Sequence, residues 1–406
     1  MLTEQQIEAI VSEGLGRLAL NNRRVLVIIP DATRTMPLPL FFRLITQQLL
    51  PRVRALDFLV ALGTHPPLSD EALWQLVGLT AEERAARYPT VRLFNHAWKD
   101  PDALTTIGTI PAGEIEQISN GLLAQEVPVR LNKLIFDYDE LLICGPVFPH
   151  EVVGFSGGNK YFFPGIAGAD IIDFTHWLGA LITSYTIIGT ADTPVRRVID
   201  RAASFIPRSR HALCSVVTHE GVAGLFIDTP EAAWRQAANL SAQVHVRYVE
   251  RPYRQVLSVM PKMYDEIWVG AKGMYKLEPV VADGGELIIY APHIKQLSVV
   301  HGAVIRQIGY HVRDYFVKQW DKYKHLPWGV LAHSTHLRGI GTYDEGVERP
   351  RIQVTLATGI SREECEQVNL GYRDPASIDP DEWAARNDPD LLVVPRAGEY
   401  LYRLVR

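Results

Sequence analysis

The first half of the chain alternates short apolar runs with segments of helical period. Residues 24–29 (RVLVII) form a nearly continuous apolar run, and a helix is expected at 38–50. A second unit repeats this order, with an apolar run at 56–62 and a helix after Ser69, a favourable N-cap residue. Strands buried on both faces read as continuous apolar runs, so the pattern predicts a parallel sheet covered by helices. Another buried strand is expected to end at Gly145.

The second half keeps this rhythm and predicts a second α/β domain. Further strands are expected at 266–269, 286–290, 328–332, 352–357 and 391–394. An Asn-Gly pair at 120–121 predicts the turn of a β-hairpin. We therefore expect an N-terminal α/β domain over residues 1–250 and a C-terminal α/β domain over 251–406. Both are expected to contain mainly parallel sheets, with an active-site cleft between the domains. The GEYLYRL ending leaves open a return of the last residues to the first domain.

The composition describes a globular protein that is not built to bind nucleic acid. Apolar residues make up 47% and charged residues 21% of the 406 residues, and the formal net charge is −5. No apolar run reaches the length of about 18 residues that a membrane span needs. The acidic, amphipathic N-terminus lacks the features of a signal peptide, and the three cysteines form no CxxC pair. These features predict a cytoplasmic protein with no nucleic-acid or membrane partner.

The stretch from residue 149 to residue 176 (PHEVVGFSGGNKYFFPGIAGADIIDFTH) stands apart from this regular pattern. It holds two histidines, one lysine and five glycines in 28 residues. Backbone that needs so many glycines usually turns tightly or lies against a ligand. Because the stretch leaves the end of a predicted strand, where open α/β proteins bind small ligands, we interpret it as the floor of an active site.

Polar side chains also follow other predicted strands. Asp31 and Arg34 come directly after the first strand, His65 follows the second, and Lys272 follows the predicted strand at 266–269. Each has a simpler interpretation. Asp31 could cap a helix, Arg34 and Lys272 could be solvated surface charges, and His65 could cap its loop. Their convergence on one sheet edge, beside the glycine-rich stretch, favours a function in a shared site.

The residue types in this group allow several chemistries. Histidine serves as acid, base or metal ligand near neutral pH, so two of His65, His150 and His176 could exchange protons on opposite sides of one carbon. Three histidines could instead hold zinc, but they lack a short local pair such as HxxxH. The sequence around Lys160 is not a P-loop, although Ser156 and the following glycines could offer backbone N–H groups to a phosphate. The residues alone therefore indicate a phosphate-bearing ligand surrounded by histidines.

Four stretches together resemble a known family. DATR (31–34), GTH (63–65), PHEVVGFSGGNK (149–160) and GIAG…TH (165–176) closely resemble the lactate racemase family of nickel-pincer-nucleotide enzymes. The positions of the two histidines, ten residues before the lysine and sixteen after it, match that family's spacing.

The resemblance implies a role for each candidate residue. Lys160 would carry the cofactor, a pyridinium-3-thioamide-5-thiocarboxylic acid mononucleotide with nickel, and His176 would ligate the metal. His65 and His150 would be the catalytic acid/base pair. Asp31 would hold a neighbouring catalytic group in place. Arg34 and Lys272 would bind the substrate carboxylate, and the cofactor phosphate would lie against Ser156, Gly157 and Gly158.

The resemblance also implies a reaction and its partners. The enzyme would be an isomerase that inverts C2 of a 2-hydroxy acid by reversible hydride transfer to the cofactor, through a 2-keto acid. Separate cofactor-biosynthesis proteins would load it. Two alternatives remain open: a zinc-dependent hydrolase or lyase, and a non-catalytic protein that binds a cofactor or nucleotide.

Two departures from the family's pattern concern the substrate. Trp268 and Val269 stand where lactate-type members have Tyr and Gln. In addition, residues 332–338 (AHSTHLR) place His333 and His336 after a predicted strand. This segment is either a solvated loop or a source of extra contacts to the hydroxyls of a longer acid, such as a sugar acid.

Overall fold

The structure is a computed structural model that describes residues 1–405. The chain forms two compact units. The first unit comprises Met1–Phe148, Phe155–Thr175 and Pro194–Val244, and the second unit comprises Pro149–Gly154, His176–Thr193 and the described chain from His245 onward.

The strands up to residue 228 are β1 Arg24–Ile29, β2 Ala55–Val60, β3 Leu93–Asn95, β4 Leu104–Ile110, β5 Val127–Asn132, β6 Glu140–Pro146, β7 Pro149–His150, β8 Gly154–Phe155, β9 Ser209–Thr218 and β10 Gly221–Asp228. The later strands are β11 Val246–Val249, β12 Tyr253–Val259, β13 Val281–Ala291, β14 Gly341–Asp344, β15 Val347–Pro350, β16 Gln353–Thr358, β17 Gly371–Tyr372, β18 Leu391–Val394 and β19 Leu401–Leu404.

The α-helices up to residue 245 are α1 Glu4–Gly16, α2 Leu38–Leu49, α3 Asp70–Leu76, α4 Ala81–Arg87, α5 Ala112–Ile118, α6 Ala169–Ile182, α7 Ser184–Ile187, α8 Pro194–Ala203 and α9 Pro230–His245. The later ones are α10 Ile267–Gly270, α11 Lys272–Tyr275, α12 Gly302–Ile308, α13 Arg313–Val317, α14 Trp320–Tyr323, α15 Trp328–Arg338, α16 Arg362–Gln367 and α17 Pro380–Ala385. Five 3₁₀ turns complete the described elements: Pro101–Ala103, Lys133–Asp137, Gly158–Tyr161, Glu278–Val280 and Pro375–Ser377.

A six-stranded sheet forms the centre of the first unit, in the spatial order β10-β9-β6-β1-β2-β3. All neighbours in it pair in parallel except β9 and β10. Residues 25–29 of β1 are fully buried, as the apolar run predicts. Helix α1 packs its apolar face, including Ile7 and Val11, into the same core, and a capping box between Thr3 and Gln6 starts the helix.

The second unit contains a five-stranded, fully parallel sheet in the order β17-β16-β13-β12-β18. The short strands β11 and β19 pair in parallel and form a separate two-stranded sheet. The prediction of an α/β fold with mainly parallel sheets is therefore confirmed.

Two of the expected strands are helices instead. Residues 267–270 form helix α10 instead of a strand, so Lys272 begins the short helix α11 and does not follow a strand. Residues 328–332 are also helical, as part of α15, whose polar side chains are mostly buried, so that 332–338 is not a solvated loop. Apolar runs of four or five residues carry no period that separates helix from strand.

The Asn-Gly pair does form a turn, with φ of 56° at Asn120 and 81° at Gly121. However, the expected hairpin does not form around this turn, because helix α5 precedes it and β5 pairs with β4. None of the helices described over residues 1–405 has the length and apolar character that crossing a bilayer requires.

Glu278, in the second unit, is a fully buried carboxyl group. Its Oε1 accepts a hydrogen bond from the Ile340 amide at 2.8 Å. Burial raises the pKa of Glu278 to about 7, and the Ile340 amide and the charge of Arg351 offset only part of this effect. The unfolded carboxyl ionises near pH 4.5, whereas the folded one stays protonated until about pH 7. The free energy of unfolding therefore falls as the pH rises between these values.

Glu278→Gln should remove this pH dependence. The free energy of unfolding of the variant minus that of the wild type should increase by about 3 kcal/mol from pH 4.5 to pH 7.5. Urea unfolding at the two pH values gives the measurement. The exposed Glu250→Gln variant is the control and should show no such gain. A difference in free energy of unfolding between Glu278→Gln and the wild type that is equal at both pH values would contradict the raised pKa of Glu278.

Candidate active site

The strand order of the first unit places several loops at one sheet edge. β1 lies between β2 and β6, so the chain runs outward from β1 in both directions. Open α/β sheets bind ligands at such a reversal, outside the carboxyl ends of the strands. Residues 31–34, 63–65 and 147–148 follow β1, β2 and β6 at this edge.

Asp31 and His65 form a direct pair there, although 34 residues separate them in the sequence. The Asp31 Oδ2 atom contacts His65 Nδ1. The other carboxylate oxygen accepts hydrogen bonds from the Thr33 amide at 3.0 Å and the Thr33 hydroxyl at 2.6 Å. Because a carboxylate only accepts, His65 Nδ1 carries a proton.

The Asp31 carboxylate is ionised in this setting. Burial by itself would raise the pKa of Asp31, which is only 7% exposed. The hydrogen bond and charge of His65, the charge of Arg34 and the hydrogen bond from Thr33 outweigh burial and hold this pKa well below its usual range. Asp31 is thus a fixed negative charge that orients an imidazole.

The glycine-rich stretch reaches the same edge. Tyr161 interacts electrostatically with Arg34 and Asp31. Its ring lies so close to β6 that a Cβ on Gly145 would be 2.0 Å from the Tyr161 hydroxyl oxygen. A backbone hydrogen bond of 2.9 Å from Gly63 N to Gly165 O joins the GTH loop to this stretch. The first unit therefore brings Asp31, Arg34 and His65 close to the segment that carries Lys160.

Arg196, on helix α8, holds the glycine-rich stretch from inside. Its guanidinium donates to the carbonyl oxygens of Phe155 and of Gly157, the latter at 3.2 Å. It also stacks over the Trp234 ring at 4.1 Å, and the Trp234 indole N–H donates to the Ser156 carbonyl at 2.8 Å. Burial lowers the pKa of Arg196 to about 10, so the side chain still carries its charge at neutral pH.

The Ser156-Gly157-Gly158 stretch is packed against the protein. The Ser156 hydroxyl donates to the Pro146 carbonyl at 3.2 Å, and its amide donates to the Phe148 carbonyl at 2.9 Å. A Cβ on Gly158 would lie 2.8 Å from Trp234 Cβ, and the Gly158 φ is 57°. The hydroxyl and the amide of Ser156 thus both donate to carbonyl oxygens of the protein. The contact of Ser156 to a phosphate stays a prediction.

Lys160 follows directly, within the 3₁₀ turn Gly158–Tyr161. Its amide donates to the Gly157 carbonyl at 3.3 Å, and its carbonyl accepts from Gly165 N at 3.1 Å. The backbone of this lysine is therefore fixed on both sides, and its side chain is half-buried.

His150, in the second unit, has two partners at one ring nitrogen. Nδ1 accepts a hydrogen bond from the Val152 amide at 3.1 Å, and the Glu151 carboxylate lies 3.2 Å from the same atom. The amide suits a bare nitrogen, whereas the carboxylate suits a protonated one. Nδ1 of His150 therefore has a partner whether or not this nitrogen carries a proton.

His176 and Lys272 also belong to the second unit. His176 lies on helix α6, is half-buried and interacts electrostatically with His336 of helix α15. Lys272 is 9% exposed, so it is not the solvated surface lysine that its position allowed. Its ammonium nitrogen lies 4.7 Å from the centroid of the Tyr264 ring.

Sequence patterns did not reveal some side chains that shape these sites, namely Glu151, Tyr161, Arg196 and Trp234. Glu151 and Tyr161 lie in the glycine-rich stretch but were not recognised as site residues, and Arg196 and Trp234 lie outside every candidate stretch. A buried arginine in an amphipathic helix was the one available signal, because Arg196 lies on the buried face of α8. Over residues 1–405, no three His, Cys, Asp or Glu side chains are grouped as ligands for a metal ion, so the zinc alternative gains no support.

Comparisons with known proteins point to one family. The family profile "Lactate racemase N-terminal domain" matches residues 3–186. A lactate racemase of Thermoanaerobacterium thermosaccharolyticum is 24% identical over 298 residues, which is 68% of this chain and 62% of that protein. A lactate racemase of Lactiplantibacillus plantarum is 30% identical over 171 residues, covering 41% of this chain and 35% of that protein. The chain thus matches less than two thirds of each of these relatives.

Two solved structures share the fold over nearly the whole chain. A crystal structure of a Thermotoga maritima protein has a TM-score of 0.91 and 36% identity, over 100% of this chain and 99% of that one. The apoprotein of the Thermoanaerobacterium thermosaccharolyticum lactate racemase has a TM-score of 0.72 and 19% identity, over 98% and 92%.

The fold and the Asp31–His65 pair define an α/β protein with a paired histidine and aspartate at the edge of a parallel sheet. The profile and the relatives narrow this further: residues 3–186 match the lactate racemase N-terminal domain, and the chain is similar to lactate racemases over 68% of its length. The resemblance seen in the sequence is confirmed.

Arg196→Lys should loosen the glycine-rich stretch. Lysine offers one nitrogen where arginine reaches two carbonyls, so amide hydrogen exchange over 155–161 should speed up roughly tenfold. Mass spectrometry of peptides gives the measurement. Arg201→Lys, on the same helix but paired with Glu114, is the matched control and should leave this segment unchanged. Equal exchange in both variants would show that Arg196 does not hold the loop.

Proposed function

We propose that the protein is a racemase or epimerase that inverts C2 of a 2-hydroxy acid with a nickel-pincer nucleotide. Similarity to the lactate racemases supports the class of reaction. The observation that carries the proposal is the contact of His65 with the ionised Asp31 carboxylate. A protein that merely carried a cofactor would need Lys160 and His176, but it would not need a histidine oriented by a buried aspartate.

The two proposed acid/base residues are prepared differently. Asp31 holds the proton of His65 on Nδ1, so that Nε2 is ready to accept the hydroxyl proton of a substrate. At His150, the Glu151 carboxylate can hold a proton on Nδ1, which leaves Nε2 as the nitrogen that exchanges a proton with the substrate.

Arg34 and Lys272 are the proposed contacts of the substrate carboxylate. A guanidinium can bind a carboxylate through two parallel hydrogen bonds, which also sets its orientation. The Arg34 guanidinium lies 5.8 Å from the centroid of the Phe148 ring, which limits its movement on that side. Lys272 is nearly buried, and a carboxylate that reaches it would meet little competition from water.

The cofactor contacts are proposed at Lys160 and His176. A lysine amine can form the amide-type link, and imidazole is a good nickel ligand, so the donor chemistry of both residues fits. Ser156 fits less well as a phosphate contact, because its hydroxyl proton goes to the Pro146 carbonyl. When bound, the nickel-pincer nucleotide would supply an acceptor and donor of hydride at C2. Loading by separate biosynthetic proteins belongs to this proposal.

The residues of the chain would then manage protons and position. Arg34 and Lys272 hold the carboxylate, which fixes C2. One histidine takes the hydroxyl proton as the C2 hydrogen leaves, which yields a 2-keto acid. The other histidine protonates the carbonyl oxygen when hydrogen returns to the opposite face. Neither step needs a carbanion beside the substrate carboxylate.

The decisive experiment is intact-mass and nickel analysis of protein co-expressed with cofactor-biosynthesis proteins. The wild type should show a nickel-dependent mass adduct and should invert a 2-hydroxy acid, and Lys160→Ala should lose both. Lys133→Ala, which replaces an exposed lysine, is the control and should keep them. A wild type without adduct or nickel, under conditions that load a known family member, would overturn the proposal.

Asp31→Asn tests the acid/base role of the pair. An amide can present the wrong group to His65 and can reverse its tautomer, so kcat should fall by roughly 10³-fold or more. Nickel content should stay at the wild-type level. Thr33→Val is the matched control: it removes one hydrogen bond to the same carboxylate but keeps the contact with His65, and it should cost roughly tenfold or less. A kcat for Asp31→Asn near the wild-type value would contradict the assignment.

A further inference from the structure

Helix α15 buries histidines that the proposed reaction does not use. His333 is 8% exposed and His336 is 3% exposed. These two residues, three apart in the sequence, lie on neighbouring positions of one helix face. Over residues 1–405, neither ring nitrogen of His336 has a hydrogen-bond partner, and neither has Nδ1 of His333. Buried polar atoms in native proteins are nearly always paired, so these atoms call for a partner from outside the chain.

The hydrogen bonds of His333 define what that partner must be. Its Nε2 lies 3.0 Å from the Trp268 carbonyl oxygen, which can only accept. Nε2 therefore carries the proton, and Nδ1 of the neutral ring is a pure acceptor. Burial lowers the pKa of His333 to about 3, so the ring is neutral at physiological pH. The missing partner must donate a hydrogen bond, which excludes a carboxylate and suits a hydroxyl group.

The His333 ring is rigidly held. It stacks on the Trp268 ring at 4.1 Å with an interplanar angle of 13°. The ring of His301 also packs on Trp268, with 4.3 Å between the ring centroids. Trp268 is one of the residues that depart from lactate-type family members. A fixed ring presents its lone pair in one direction, which is a requirement for specificity.

Within the second unit, these histidines lie beside residues of the proposed reaction. His336 interacts electrostatically with His176, and His333 interacts with Glu151, the neighbour of His150. The Trp268 carbonyl that binds His333 lies four residues before Lys272.

We propose that His333 and His336 are specificity residues that bind hydroxyl groups beyond C2 of the substrate. The substrate class is then an acyclic polyhydroxy monocarboxylic acid. This inference rests on the proposed function. A neutral His336 offers one donor and one acceptor, which matches hydroxyls that both give and accept hydrogen bonds. A second carboxylate would meet the lone pair of His333, and an alkyl chain would leave the buried nitrogens unpaired.

The test compares acids that differ only beyond C2: lactate, malate, glycerate, threonate and gluconate. Cofactor-loaded protein is assayed for C2 inversion by NMR and chiral chromatography, and binding to the apoprotein is measured by calorimetry. We expect kcat/KM for the best aldonate to exceed that for lactate and malate by about 10²-fold or more. Equal or higher values for lactate or malate would overturn the inference.

His333→Phe keeps an aromatic ring for stacking on Trp268 but removes the acceptor. It should lower kcat/KM and apoprotein affinity for the preferred aldonate about 10²-fold, and should change kcat/KM for lactate less than about threefold. His333→Asn, which returns an acceptor near the position of Nδ1, should recover part of the loss and serves if the Phe variant does not fold. Ser334→Ala is the matched control on the same helix, because its hydroxyl donates to the Gly309 carbonyl within the fold, and it should leave the aldonate-to-lactate ratio unchanged. An equal loss for all acids in His333→Phe would overturn the inference.

The two proposals fail in different ways. No inversion of any acid by nickel-loaded protein would overturn the proposed function. Aldonate binding to the apoprotein that weakens in His333→Phe would still support hydroxyl recognition in that case. No binding and no inversion would overturn both.

Discussion

Parallel pairing of β1 with β2 and β6 is the constraint on which the candidate active site depends. It obliges the loops after these strands to leave at one edge, so that residues 34 positions apart meet as Asp31 and His65. The contact satisfies a carboxylate that burial would otherwise penalise, because the imidazole and Arg34 together keep it ionised. The fold and the geometry of the Asp31–His65 pair therefore depend on the same strand pairings. A change that separated these strands would expose the charge and release the imidazole at once.

The glycine-rich stretch shows a second use of buried charge. The Arg196 guanidinium reaches two carbonyl oxygens from beneath the loop, and Trp234 binds a third. The glycines are needed because neighbouring atoms lie where Cβ atoms would be and because Gly154, Gly157 and Gly158 adopt positive φ. Lys160 thus leaves a backbone that is held from both sides. A lysine that is to carry a large group benefits from such a support, since the attached group inherits its position.

Hydrogen-bond partners distinguish the buried histidines more clearly than their positions in the sequence do. Asp31 keeps the proton of His65 on one nitrogen, the surroundings of His150 accept either state, and the Trp268 carbonyl turns Nδ1 of His333 into an acceptor. The same residue type therefore meets a carboxylate at His65, an amide and a carboxylate at His150, and a carbonyl oxygen at His333. At His65 and at His333, one oxygen sets the tautomer.

The sequence by itself indicated the α/β class, strands at 24–29 and 56–62, the resemblance to lactate racemases and the stretches proposed to form the site. These follow from local patterns: continuous apolar runs, Ser69 as an N-cap and the spacing of His150, Lys160 and His176. Only the tertiary structure decided that α10 and α15 are helices and that Lys272 is buried. It alone revealed the partners of each histidine and the support from Arg196. Short apolar runs carry no period, and a tautomer depends on which carbonyl or carboxylate the fold brings within hydrogen-bond distance.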